Sequence, residues 1–419
     1  MNYRVIDKET YYRKGVYRHF IIRGEIIMKK LIAAVLTVIV LTVFASCGEL
    51  DNNSSKPEEE IKNSLISALN SKVNKESMGS YDFSAAAFKY LTYIGENFKD
   101  RNMGKEDHNK TADWIVEELK KGGYNEEQIV LQNFTYSDYD DKEQSGANIV
   151  LTVEGEDNSH RIIAGAHYDG DGIGDNGSGI ALLLANAVGL AEIKPHFTVT
   201  YIFFDAEECG CKGSNYYAEN MSEEEVKSTI YMINIDSLAF GDYCNIYGGD
   251  LNNLIDEYTK PSKTDGYKFA AKTAENLGFN VMKTADLDGY FEKHKKGPEI
   301  KPKTLYTNPW TFENQSPVNY SVPSPATLAA SDHTGFMDRG IEYIYFEATN
   351  WFAEGENDDV TATSYTGYVE TIDYSIGAHG MFMNTEYDTW ESLNKYFPGR
   401  AEEHYKIYSP LLSALIMVS

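Results

Sequence analysis

One histidine and three aspartates lie within nine residues of each other near the middle of the chain. His167, Asp169, Asp171 and Asp175 all belong to the segment AHYDGDGIGDNGSG. Imidazole and carboxylate groups in this pattern are a ligand set for zinc or a similar divalent ion. The same composition also describes a solvated loop, because Asp and Gly favour tight turns. The segment alone leaves both interpretations open.

Further acids follow two other apolar runs that have the character of buried strands. Glu207 and Glu208 come after FTVTYIFF, and Asp236 follows the run that ends at Ile235. Adjacent glutamates point in different directions, so one can bind a metal ion while the other takes a proton from water. A carboxylate that lies between two ions can bridge them at about 3.5 to 4 Å. Three strand ends therefore supply ligands for one or two divalent ions.

Strands and helices alternate around these acids. Apolar periodicity predicts helices at 85–98, 110–121 and 178–190 and strands at 129–134, 148–153, 162–166, 197–204, 230–235 and 343–348. We therefore predict an α/β fold with a single open, mostly parallel twisted sheet and helices on both faces. Between residues 250 and 330 the pattern weakens among several prolines. We interpret this part as an inserted lid or pocket wall, with additional packed surface as the alternative.

The amino-terminal part of the chain is typical of export. Residues 1–27 are interpreted as an over-called translation start, and 28–47 as a signal peptide with two lysines, an apolar core and small residues before a cysteine. The sequence ASC resembles a bacterial lipobox, which predicts lipid attachment at Cys47; cleavage by an ordinary signal peptidase is the alternative. The Asn-, Ser-, Pro- and Glu-rich composition of residues 48–62 predicts a flexible tether. We expect the folded domain, 63–419, at the outer face of the membrane.

Charge and cysteine content narrow the class of protein. The chain has 38 Lys and Arg against 64 Asp and Glu, a formal charge of −26, which argues against nucleic-acid binding because such a surface repels phosphate. Four cysteines are too few for a disulfide scaffold or a cysteine-cluster metal site. Cys209 and Cys211 are either free thiols or half of a disulfide to Cys244. Any metal site must use His and carboxylates.

Five motifs together resemble the M28 family of zinc aminopeptidases. AHYDG, DNGSG, FDAEECGCKGS, NIDS and SDHTGF occur in the family's order with fitting spacing, and the resemblance extends from about residue 80 to residue 419. The resemblance implies that His167 and Asp236 hold one zinc ion and that Glu208 helps to hold a second. It further implies that Asp175 bridges the two ions and that Glu207 is the general base.

The resemblance also assigns roles around the ligands. Asp169 would orient the ring of His167 as a carboxylate behind it. The segment SDHTGF, with Asp332 and His333, would line the substrate pocket. Five other histidines have no such context and are predicted to lie on the surface: His108, His160, His196, His294 and His404.

One position departs from the family pattern. The last metal ligand of the family is a histidine, and the matching segment NTEYDT has Asn384 there. The first alternative is that Asn384 binds the metal weakly, since an amide oxygen is a poorer zinc ligand than imidazole. The second is that another histidine, His379 or His333, takes its place. The third alternative is a second site that is empty or holds a different metal. Asp388 would support whatever occupies position 384.

These features predict an exported metallopeptidase, an aminopeptidase with a two-zinc site that acts on peptides. A first alternative is an acyltransferase of the glutaminyl cyclase type, which shares the fold and uses one zinc ion. A second is a degenerate lipoprotein that binds peptides without cleaving them. Asn384 supports this second alternative, and the intact acids and His167 oppose it.

Overall fold

The computed structural model describes residues 66, 69, 70, 80–138, 141–249, 265–282, 301–307, 331–349, 382, 383 and 385–419. All of them belong to one unit, Glu60–Ser419. The predictions for residues 1–62, with lipidation of Cys47, fall outside the described residues, as do those for His294, His379 and Asn384.

A nine-stranded mixed sheet runs through the described part of the chain. Its strands are β1 (Ile129–Ser137), β2 (Glu143–Val153), β3 (Asp157–His167), β4 (Phe197–Phe204), β5 (Thr229–Ile235), β6 (Tyr243–Tyr247), β7 (Asn280–Met282), β8 (Thr304–Thr307) and β9 (Tyr343–Thr349). They are ordered β1-β2-β4-β3-β5-β9-β6-β8-β7. The pairings are parallel except for β1–β2, β2–β4 and β6–β9. This confirms the predicted open, mostly parallel sheet.

Helices cover both faces of the sheet, as predicted. The described helices are α1 (Phe83–Asn97), α2 (Glu106–Lys121), α3 (Gly177–Gly189), α4 (Lys212–Asn220), α5 (Glu223–Ser228), α6 (Asp265–Asn276), α7 (His333–Asp338), α8 (Trp390–Tyr396) and α9 (Arg400–Ile416). On one face α3 packs between α1 and α9, and on the other α4 packs against α7. In the part of the chain that is described, no helix is long and apolar enough to cross a membrane.

Helix α3 begins directly after the acidic loop that follows β3. The Asn176 side chain accepts a hydrogen bond from the Gly179 N–H at 2.8 Å and caps the helix. Its residues from Gly177 to Ala187 are buried, which explains why the helix is apolar all round. The loop before α3 is therefore tied to the core at its end.

Several boundaries differ from the sequence predictions by a few residues, and the insertion contains regular structure. Helix α2 begins at Glu106 and not at residue 110, because Glu106 and Asp107 stabilise its first turn at the positive end of the helix dipole. Within the predicted insertion, residues 265–282 and 301–307 form α6, β7 and β8, and these two strands extend the sheet beyond β6. The remainder of the insertion falls outside the described residues.

The order of the central strands brings the predicted site together. Strand β3 lies between β4 and β5 and is parallel to both. The carboxyl ends of parallel neighbours meet at one edge of a sheet, where α/β proteins place their sites. His167, the Glu207–Glu208 pair and Asp236 therefore follow three adjacent strand ends.

Candidate metal centre

Three side chains converge at the carboxyl end of β3. The Nε2 atom of His167 lies 3.1 Å from Asp175 Oδ1 and 3.5 Å from Asp236 Oδ1. Ligand atoms of these three residues all lie within 4.8 Å of one another, and all three residues are buried. One imidazole and two carboxylates at this distance can hold a single divalent ion.

The His167 ring has the environment of a metal ligand. Both of its nitrogens are buried, and neither makes a well-formed hydrogen bond with any described residue. Burial lowers the pKa of this imidazole, but the charges of Asp236, Asp169 and Asp175 outweigh burial and raise the pKa well above its usual value. A buried nitrogen surrounded by carboxylates and left without a hydrogen bond fits a zinc ligand.

Asp236 is held by hydroxyl groups from two segments. Ser331 Oγ donates a hydrogen bond to Asp236 Oδ2 at 2.8 Å, and Ser237 Oγ donates one to Oδ1 at 3.2 Å. Burial raises the pKa of Asp236, but His167 and these two hydroxyls lower it below its usual value. Asp236 is therefore the carboxylate of the cluster that most favours the charged form.

Asp169 links the loop after β3 to the turn after β4. Its Oδ1 and Oδ2 atoms accept hydrogen bonds from the backbone N–H groups of Glu207 and Glu208, at 3.0 and 3.1 Å. Asp169 Oδ1 also lies 3.5 Å from His167 Nδ1. The resemblance implies that Asp169 orients the His167 ring. The hydrogen bonds from the turn after β4 to Asp169 are an additional contact that the sequence does not predict.

Glu207 lies in a tight turn, beside a thiol. Ala206 has a positive φ of 58°, and the Glu207 carbonyl accepts hydrogen bonds from the Gly210 and Cys211 N–H groups at 2.7 Å. The Cys211 thiol donates to Glu207 Oε1 at 3.3 Å. Burial raises the pKa of the Glu207 carboxyl well above its usual value, and Asp332 raises it further. The side chain is therefore suited to hold a proton in this site.

The Glu208 side chain lies against Gly170 in the loop after β3. A Cβ atom placed on Gly170 would lie 3.0 Å from Glu208 Oε1, so the absence of a side chain at Gly170 admits this carboxylate. Burial, followed by the charge of Asp175, raises the pKa of Glu208 to about 9. Glu208 does not belong to the three-residue cluster found among the described residues.

Two further groups fix the backbone of the ligand loop. Asp388 accepts hydrogen bonds from the N–H groups of Gly174 at 2.6 Å and Asp175 at 3.1 Å. Arg101 is almost fully buried and donates to the Gly172 carbonyl at 2.6 Å. Asp388 was predicted to support position 384, and its described contacts are with the loop after β3. Arg101 was missed, because a single arginine between two helices has no pattern in the sequence.

The SDH segment lies behind Asp236. The His333 ring stacks on Tyr343 with centroids 4.4 Å apart, and its Nδ1 lies 3.3 Å from Asn234 Nδ2. Burial lowers the pKa of His333 to about 3 and raises that of Asp332 to about 7. His333 lies outside the metal-ligand cluster of the described residues.

Two predictions for surface histidines are wrong. His108 and His404 are buried, and His160 and His196 are partly exposed. His108 Nε2 lies 2.8 Å from Asp205 Oδ1, and His404 Nδ1 lies 2.6 Å from the Leu238 carbonyl oxygen. Tertiary partners therefore compensate the burial of these rings.

The three cysteines of the described part of the chain are free thiols. Cys211 and Cys244 are buried, and Cys209 is partly exposed. Of the two alternatives for these residues, the structure has free thiols near the site.

Comparison with known proteins relates part of the chain to one peptidase family. Residues 148–300 match the model of peptidase family M28. A Mycobacterium tuberculosis protein named "Probable lipoprotein aminopeptidase LpqL" is 32% identical over 162 residues, which are 34% of this chain and 32% of that protein. The chain thus spans about a third of the length of this curated relative. The resemblance to the M28 family is confirmed.

Solved structures share the fold at low sequence identity. A glutaminyl cyclase from an Acidobacteriales bacterium has a TM-score of 0.54 at 15% identity, covering 80% of this chain and 96% of that chain. The zinc aminopeptidase BSAP from Bacillus subtilis has a TM-score of 0.52 at 14% identity, covering 80% and 95%. Both likenesses concern the fold, which is one open sheet with helices on both faces.

Proposed function

We propose, from the peptidase family M28 segment that this chain carries at residues 148–300, that the protein is an exported zinc metallopeptidase that removes residues from the amino end of peptides. The observation that supports this most is the buried cluster of His167, Asp175 and Asp236 beside Glu207. An ion site next to a carboxyl group that can hold a proton is the arrangement used in metal-assisted hydrolysis of peptides by water.

The residues of the chain would divide the chemistry as follows. His167, Asp175 and Asp236 would hold a zinc ion, which when bound lowers the pKa of water from about 15.7 toward 7 and polarises a carbonyl. Glu207 takes the proton of the attacking water at a carboxylate oxygen and returns it to the leaving amine. The raised pKa of Glu207 favours this proton transfer, since a carboxyl group at its usual pKa would release the proton to solvent.

A second zinc ion is part of the proposal. Burial raises the pKa of Asp175, Glu207 and Glu208, and the charge of Asp175 raises the pKa of both glutamates further. Such a group of buried carboxyls lacks positive charge, which divalent ions supply. Asp175 would bridge the two ions, and Glu208 with position 384 would complete the second site. Asp332 and His333 would line the substrate pocket, as the family resemblance implies.

Attachment to the membrane by a lipid at Cys47 belongs to the same proposal. It is supported by the signal-like sequence 28–47 and by the word lipoprotein in the name of the Mycobacterium tuberculosis relative. Replacement of Cys47 by Ala should release the protein from the membrane fraction, while activity per molecule stays the same. Membrane association that persists in this variant would rule out the anchor.

The experiment for activity uses the mature protein and the variant Glu207→Gln. We expect hydrolysis of aminoacyl and peptide substrates with a free amino end, and a loss of about 10²- to 10⁴-fold in kcat for the variant at unchanged zinc content. Glu127→Gln changes an exposed glutamate in the same way and serves as the control. Full turnover in Glu207→Gln would refute the assigned base.

The same preparation separates the alternatives. Peptides with an acetylated amino end should resist the enzyme if a free amino group is required. A peptide with amino-terminal Gln reports ring closure, the reaction of a glutaminyl cyclase, as ammonia release without hydrolysis. Peptide binding with no reaction of either kind would indicate the degenerate lipoprotein.

A further inference from the structure

Arg101 lies directly behind the loop that carries the metal ligands. Its guanidinium donates to the backbone carbonyls of Gly172 at 2.6 Å, Tyr168 at 3.2 Å and Phe98 at 3.2 Å. Two of these acceptors belong to the loop between β3 and α3, and Arg101 also forms a backbone bridge to Gly170. The arginine thus connects the end of α1 to both sides of the loop.

The charges around Arg101 are those of the metal site. Its side chain is almost fully buried, and burial lowers the pKa of the guanidinium. The charges of Asp388, Asp169, Asp175 and Asp171 act in the opposite direction and favour the charged arginine. A buried cation is retained only where carboxylates and carbonyls compensate its desolvation. Arg101 is therefore electrostatically part of the acidic site, although it reaches none of the three clustered ligand atoms.

We propose that Arg101 is a positioning residue that holds the loop 168–175 in the arrangement that binds metal. This inference rests on the zinc site of the proposed function, and it concerns the affinity of that site for the ion. Without the guanidinium, the Tyr168 carbonyl loses its side-chain donor and the Gly172 carbonyl keeps only the Gly177 N–H at 3.3 Å. The aspartates of the loop then repel each other with no cation beside them. The loop would then have to be ordered when the ion binds, and this cost weakens binding.

The buried Asp388 side chain holds the same loop from its other end. Asp388 holds the N–H groups of Gly174 and Asp175 on the other part of the same loop. Arg101 fixes carbonyls and Asp388 fixes N–H groups, so the two side chains hold opposite polar groups of one backbone segment. We expect their effects on metal binding to be coupled, because each restrains the loop that the other needs in place.

The test is zinc affinity, measured by calorimetric titration of the metal-free full chain. We expect Arg101→Met to weaken zinc binding by about 10- to 100-fold, as is typical when a residue that supports metal ligands is lost. Arg101→Lys keeps the charge but loses the planar fork, and should weaken binding less. The double variant with Asp388→Asn should lose less than the product of the two single effects.

Arg339 offers a matched control on the other face of the sheet. It donates to the backbone carbonyls of Ala218, Glu219 and Met221 and pairs with Glu223, so it makes similar contacts with a segment other than the metal loop. Arg339→Met should lower the midpoint of thermal unfolding and leave zinc affinity within about twofold of wild type, which separates loss of stability from loss of positioning.

Each result bears on one proposal. Zinc affinity within twofold of wild type in Arg101→Met, or an equal loss in Arg339→Met, would overturn the inference. If Arg101→Met does not fold, an affinity of Arg101→Lys equal to that of wild type would overturn it as well. A wild-type protein that binds zinc tightly but hydrolyses no peptide would overturn the proposed function alone.

Discussion

The Asp169 carboxylate accepts a 3.0 Å hydrogen bond from the backbone N–H of Glu207. The proposed general base therefore depends on a side chain that follows a different strand, two residues after His167. Any displacement of the β3 loop is transmitted to the turn that carries Glu207 and Glu208. Asp169 thus contacts both the proposed metal ligand His167 and the backbone of the proposed base Glu207.

Replacement of Asp169 by Asn should lower kcat/KM by about 10- to 100-fold. One amide oxygen can replace one acceptor, but the amide NH₂ group would face the second backbone N–H and repel it. Asp171→Asn removes the same charge from an exposed position of the same loop and is the control. Steady-state kinetics together with zinc content measure the effect, and equal losses in the two variants would contradict it.

The Cys211 thiol should contribute to turnover through Glu207. Cys211→Ala removes the donor at 3.3 Å from Oε1, and we expect kcat to fall about 3- to 10-fold with little change in KM. Cys211→Ser keeps a donor and should restore most of the rate. In Cys209→Ala the lost contact is with Tyr136, not with Glu207, so kcat should stay near wild type. Equal rates in all of these variants would show that the contact has no role.

His404 should make the free energy of unfolding depend on pH. Burial lowers its pKa to about 4, so the unfolded chain takes up a proton at higher pH than the folded one. Stability from this residue is complete above about pH 6.5 and is lost as the pH falls toward 4, by about 3 kcal/mol in all. Urea unfolding of wild type and His404→Asn across this range measures the difference.

The His404→Asn variant should lose this part of the pH dependence, since an amide does not titrate there. His196→Gln removes a partly exposed ring and should leave the pH dependence as it is in wild type. A pH profile of the free energy of unfolding that is identical in wild type and His404→Asn would contradict the prediction.

Asn384→His should complete the second ion site. An imidazole at this position supplies the ligand expected from the family pattern, so zinc per chain should rise from about one to about two, with a higher rate. Metal analysis of the purified protein and an aminopeptidase assay measure both. The neighbouring Glu386→His adds a histidine to the same segment and is the control. Unchanged zinc content in Asn384→His would show that position 384 does not limit zinc binding.

The sequence alone predicts the part of the site that follows from regular structure. His167 and Asp236 come directly after apolar runs, and parallel neighbouring strands bring such positions together. Arg101 and Asp388 are different, because their contacts are with backbone groups distant in the chain. No local periodicity indicates which carbonyl or N–H group a side chain will meet after folding.

His108 illustrates a signal that was present and missed. Helix α2 buries His108, Thr111 and Ile115 on one face, at spacings of three and four residues. A predicted start at residue 110 leaves His108 outside the helix, where it resembles an ordinary polar residue. The partner Asp205 lies 97 positions further along the chain, and no spacing rule connects the two.

The bond from Asp388 to the Gly174 N–H joins residues 214 positions apart. We expect a contact of such separation to close late in folding, because the loop-closure entropy of the intervening chain opposes it. His167 and Asp175 are synthesised before Asp388, which lies near the carboxyl end of the chain. Tight metal uptake should thus coincide with the last stage of folding, after the carboxyl-terminal helices have docked.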